Sequence, residues 1–194
     1  MKQFTLFTFL IGALALAFTG PVETVSIDTE QSQITWKGYK VLGSHTGYVN
    51  IKNGDFQMQD GALVGGSFMI DMNSITCTDL EGEYADKLVG HLKSNDFFGV
   101  ANYPTANFNI TQVISRGTPG SYKIVGELTI KEKTQEIKFN ANVSEENGKK
   151  VAVADVTIDR SDFDVRYGSG SFFDNLGDNT IYDEFDLSIR LVLN

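Results

Sequence analysis

From Gln33 to Leu193 the chain alternates apolar and polar residues in one short run after another. That period of two dictates β-strands with one face on a core. The last run is the cleanest: Phe185, Leu187, Ile189, Leu191 and Leu193 stand against Glu184, Asp186, Ser188 and Arg190. Upstream, Ile34 shares a face with Trp36, Phe68 with Ile70, Ala106 with Phe108, and Ile137 with Phe139. Turn signals separate the runs. Asn53-Gly54 predicts a hairpin between Thr46–Ile51 and Phe56–Gln59, and Asp60-Gly61 predicts another. Gly65-Gly66 predicts a bulge or bend within a strand. About eight strands joined mostly by short turns, each with one apolar face, close most simply into an all-β, up-and-down antiparallel barrel. A two-sheet sandwich is the alternative. In the barrel, Trp36, Phe68, Ile70, Phe108, Phe139 and Leu187 face inward.

One stretch breaks the alternation. Leu80, Tyr84, Leu88 and Leu92 recur four apart, with Ala85 and Val89 beside them, so an amphipathic helix is expected over Asp79–Lys93. Thr78 or Asp79 can cap its start. Ser94 or Asn95 can cap a short helical turn carrying Phe97 and Phe98, and Tyr103-Pro104 then returns the chain to extended geometry. An apolar stripe needs a surface to cover, and the barrel offers the only large one. The helix and the Phe97-Phe98 turn are therefore expected to close one end of the barrel. An eight-stranded barrel is either filled by its own side chains or holds one small ligand. The helix and a long loop from Asp159 to Thr180 favour the container.

The first residues, "MKQFTLFTFLIGALALAFTG", read as an export leader over residues 1–20, ahead of a single domain over 21–194. Formal net charge is −9, and Lys2 is the only charge before Val22, so the remainder carries −10. So acidic a chain does not suit nucleic acid or anionic lipid surfaces. Cys77 is the only cysteine, which leaves no internal disulfide. Asp71 and Asp79 nearby hold its thiol protonated rather than reactive.

Several segments, in order, carry a resemblance: "GSHTG", "LVGGSFMIDMNSI", "KLVGHLKSNDFF", "YPTANF", "VGELTIKEKTQEIKF" and "TIDRSDFDVRY". Together they resemble the successive signatures of the YceI-like family, "HLKSNDFF" followed by "YPTANF" being the most specific. The chain departs from the pattern at Gly99, where an acid is frequent, and at "EEN". The resemblance implies an exported bacterial lipocalin-like barrel that holds a polyisoprenoid or another long amphiphilic lipid. The expected location is periplasmic or secreted.

The residues expected at the ligand are Trp36, Phe68, Ile70, Leu88, Leu92, Phe97, Phe98, Phe108, Phe139 and Leu187 as apolar wall. His45 and His91 are expected as hydrogen-bonding groups at the mouth. No metal site is expected, since zinc takes three or four ligands and no HxH, HxxxH or CxxC spacing occurs. No catalytic residue is expected: nucleophile-elbow, phosphate-loop and dinucleotide motifs are missing from the sequence. The expected ligand is a lipid, polyisoprenoid or fatty acyl, with no other cofactor. A dimer and an envelope membrane-protein partner stay open as associations. The alternative function is a structural or stress-response envelope domain with a filled barrel.

Overall fold

A computed structural model describes residues 20–194. The expected leader, up to residue 19, lies outside the described residues. Eight antiparallel strands follow one another around a closed barrel. They are β1 (Val22–Lys40), β2 (Gly43–Gln59), β3 (Ala62–Asp71), β4 (Thr105–Ser115), β5 (Ser121–Ile130), β6 (Lys133–Glu146), β7 (Lys149–Asp159) and β8 (Ile181–Leu193). β8 returns to β1, pairing Leu187 with Trp36, which on its other side pairs with Gly47 of β2. The sandwich alternative is thereby excluded. Helix α1 (Gly82–Lys93) lies in the β3–β4 crossover, and short 3-10 turns occupy Met72–Ser74, Arg160–Phe163 and Gly177–Asn179.

One end, the mouth, carries the β1–β2 turn, the helical crossover, the β5–β6 turn and the long β7–β8 loop. The other end carries the remaining three hairpin turns and both ends of the barrel strands. There Gly20 N donates to Asp60 Oδ2 at 3.2 Å and Asn194 N to Ser26 O at 3.0 Å.

The strand parity read from the sequence is the observed one, with two corrections at β1 and β2. Asn53-Gly54 makes no hairpin: β2 runs straight through it, Asn53 facing Met69 and Gly54 facing Phe68. A β-carbon on Gly54 would sit 2.5 Å from Phe68 Cβ, so this glycine permits close strand approach rather than a turn. β1 begins well before Gln33. Its early half pairs with β2 from Val22 to Ser26, and the register breaks before Ile34. Asp28 builds the break, its carboxylate accepting from the Glu30 and Gln31 amides at 3.2 Å. The bulge expected at Gly65-Gly66 falls beside them: Gln57 faces Gly65 and Met58 faces Leu63, which leaves Val64 extra.

Helix α1 starts at Gly82, three residues later than expected, after Glu81, whose side chain makes no capping bond. Asp79 is unavailable as a cap because its carboxylate is bound to β2. The helix buries none of its residues fully, and Tyr84 is 75% exposed. The four-apart stripe is thus not laid down whole on the barrel; only its last member, Leu92, packs against the core. Ser94 closes the helix by donating both its amide and its hydroxyl to His91 O, at 3.0 and 2.8 Å. The following turn drives Phe97 to 6% exposure.

Candidate functional site

The barrel interior is apolar but not solid. Trp36, Ile137, Phe139, Phe185, Leu187 and Ile189 have inward parity, yet each is only half-buried. They pack against the core, and all but Ile137 also border open space. An upper cavity of about 120 Å³ lies under the mouth, and Trp36, Ile70, Leu92, Phe97, Phe98 and Leu187 all line it. A lower cavity of about 30 Å³ lies beneath, walled by Phe68, Phe108 and Phe139 among others. The structure thus brings nine of the expected wall residues to one interior in two compartments.

Leu88, His45 and His91 line neither cavity. Leu88 stays half-buried on the outer part of α1. His91 sits among aromatic rings. Its ring packs 4.3 Å from Tyr167 and 5.7 Å from Phe97, and its Nε2 is buried without a hydrogen-bond partner.

His45 serves a clamp outside the cavity. Its Nδ1 lies 2.8 Å from Asp79 Oδ2, while Asp79 Oδ1 accepts from Thr46 N at 2.9 Å. The strap Thr76–Asp79 is held against β2 by two further main-chain bonds, Thr76 N to Tyr48 O and Thr78 N to Thr46 O, at 3.0 and 2.9 Å. Thr76 O in turn accepts from Trp36 Nε1 at 3.0 Å, which fixes the indole in the cavity wall. This explains "GSHTG" physically: Gly47 lies under the strap where any β-carbon would overlap the Thr76 carbonyl.

Burial would raise the Asp79 carboxyl, but the Thr46 amide, His45 and the Cys77 thiol outweigh it and hold its pKa at about 2 instead of 3.8. Because the folded value is depressed, the clamp's stability is fully present above 3.8 and is lost as pH falls through about 2. Asp79→Asn is therefore expected to unfold with a flatter pH dependence across that window, read as urea midpoint against pH. A wild-type slope in the variant would refute the clamp. Burial, followed by the Asp79 bond, pushes the Cys77 thiol up, which leaves it a poor nucleophile. Among the described residues no three His, Cys, Asp or Glu gather as a metal site.

Arg160 escaped the sequence reading. It is 2% exposed and is the only charged residue in the upper cavity's lining. Its Nε donates to Tyr182 O at 3.2 Å, Nη1 to Val165 O at 2.6 Å and Nη2 to Ile181 O at 3.0 Å. Asp183 Oδ1 lies 3.3 Å from Nη2, and the guanidinium stands 5.2 Å from the Phe97 ring centroid. Burial lowers its pKa, with Asp183 and Asp159 opposing. Parity was the available signal, since Arg160 continues the inward series Val156, Ile158.

Against known sequences, the YceI-like domain family matches residues 26–193. The chain belongs to the YceI-like family. Among curated proteins no sequence match was found. Solved structures share the fold of this YceI-like domain. Burkholderia cenocepacia BcnA is 20% identical with a TM-score of 0.67, over 87% of this chain and 99% of that one. A polyisoprenoid binding domain from Saccharophagus degradans, implicated in plant cell wall breakdown, is 15% identical with a TM-score of 0.64, over 88% and 97%. The Campylobacter jejuni YCEI protein is 18% identical with a TM-score of 0.54, over 100% and 99%.

Proposed function

We propose that this YceI-like domain binds the apolar chain of a long amphiphilic lipid, a polyisoprenoid or fatty acyl compound, inside its barrel. It acts as a non-enzymatic carrier or store in the bacterial cell envelope. The observation that carries this reading is the interior wall, apolar and inward-facing yet only half-buried around open space. Side chains that exist only to fill a core close-pack and leave few voids. The YceI-like relative described as polyisoprenoid binding supports the ligand class. Each buried methylene contributes about 0.8 kcal/mol, so even a partly buried tail binds without a charged anchor. Arg160 marks the mouth end as the place for the lipid's polar group, with the tail running down the barrel. The apolar run before Gly20 supports export.

The filled-barrel reading rests on cavity size. An apolar cavity of about 150 Å³ accommodates benzene, and the upper cavity here is about 120 Å³. A long chain therefore requires the interior side chains to repack around it. One experiment decides between the readings. The full chain is expressed in a bacterium, recovered by osmotic shock, read from its N-terminus, then extracted with organic solvent for mass spectrometry. The expected result is a protein lacking the leader and a stoichiometric long-chain lipid. A clean extract would establish the filled barrel, and an N-terminus at Met1 on membrane-bound protein would overturn export.

A further inference from the structure

The two cavities are separate, and what separates them is specific. Ile70 faces Ala106 across β3 and β4, and both line the upper cavity. One inward position further down, Phe68 faces Phe108, and both line the lower cavity but not the upper. On the β3–β4 wall the facing pair thus changes from aliphatic to aromatic within one step of the strand pleat. The Phe68 and Phe108 ring centroids are 5.3 Å apart, and Phe139 reaches from β6 to within 5.5 Å of Phe108. Three rings therefore form a contiguous bar along the wall of the lower cavity, one pleat step below the Ile70 and Ala106 wall of the upper one.

The bar is held from behind. The Phe108 ring lies on Gly126 of the neighbouring strand, where a side chain would overlap Cζ. Phe108 and Phe68 are 3% and 8% exposed, so they are fixed in the core, while Phe139 is only half-buried and has room to move. Below the bar, the inward side chains of Ile110, Val143 and Ile189 are again half-buried around the lower cavity. Open space thus adjoins the rings below, and the upper cavity ends one pleat step above them.

We propose that Phe68, Phe108 and Phe139 act as a ruler that sets how much of an isoprenoid tail the barrel buries. This rests on the reading of the interior as a lipid site. A tail entering under Arg160 and Trp36 gains burial with each added unit until its tip meets the rings. Beyond that point every further carbon stays outside or has to displace Phe139. The ligand this implies is an isoprenoid of which only the first few units are buried, any longer remainder staying outside the barrel.

Trp36 is the only tryptophan and lines the upper cavity, so its fluorescence reports occupancy directly. The full-length mature protein, stripped of lipid by organic extraction and refolding, would be titrated with geraniol, farnesol, geranylgeraniol and longer prenols. In wild type, affinity is expected to rise about tenfold or more per unit and then level off between geraniol and geranylgeraniol. Phe108→Leu and Phe139→Leu keep an apolar side chain but shorten the bar, and each is expected to move the levelling-off point up by one isoprene unit. Thermal unfolding of each variant alone, followed by circular dichroism, identifies the folded ones. If Phe108→Leu fails to fold, Phe139→Leu at the looser position decides. Affinity that levels off at the same length in a folded variant, or that keeps rising through the longest prenol in wild type, overturns the ruler while leaving lipid binding intact. Wild-type protein whose Trp36 responds to no prenol overturns the lipid reading and the ruler with it.

Discussion

Replacing Arg160 with methionine is expected to lower the unfolding free energy by about 3–5 kcal/mol. The side chain bonds three main-chain carbonyls, of Val165, Ile181 and Tyr182, and faces the Asp183 carboxylate. Methionine matches its volume roughly but donates nothing, so three acceptors and one partly buried charge lose their partner together. The loop after β7 and the start of β8 would lose the group that joins them at the mouth. Urea unfolding followed by circular dichroism measures the loss. Adding Asp183→Leu should restore part of it, because the stranded charge is then gone. A single variant within 1 kcal/mol of wild type would mean that Arg160 is dispensable to the fold.

Gly47→Ala is expected to cost about 3 kcal/mol from a single methyl group. The added carbon meets the Thr76 carbonyl, which is backbone, with Trp36 Cζ2 only 2.9 Å away. Neither is the loose end of a flexible side chain, so the strap itself has to lift. Lifting it breaks the Trp36 Nε1 to Thr76 O bond and the Thr76 to Tyr48 bond. Two readouts should move together: a lower urea midpoint and red-shifted Trp36 emission as water reaches the indole. Unchanged emission with unchanged stability would show that the strap tolerates the displacement.

The barrel was legible because a strand period of two leaves no freedom in which side chains face inward. Once Phe185 to Leu193 are read as one face, the inward parity of Leu187 follows. Glycine chemistry was the weak point. Asn53-Gly54 carries the strongest short hairpin signal, yet the same residue also serves where two strands crowd, as Gly54 does against Phe68. A sequence shows that a glycine is required and not which demand requires it. The helix was legible in position but not in burial. Periodicity states that one side is apolar, whereas only the last turn, through Leu92, comes within reach of the core. Arg160 was hidden by its charge. It sits in an acidic loop and reads as solvated, although its parity points inward. The bond that His45 makes was hidden, since its partner Asp79 lies 34 residues away in a segment whose path the pattern does not give.

Both ends of the folded chain leave the barrel on the side away from the cavity mouth, Gly20 against Asp60 and Asn194 against Ser26. The consequence is one of orientation. A protein fastened at Gly20 or Asn194, whether to a fusion partner, a resin or a sensor chip, would present its opening outward. A tag at either of these residues therefore needs no long spacer to clear the opening.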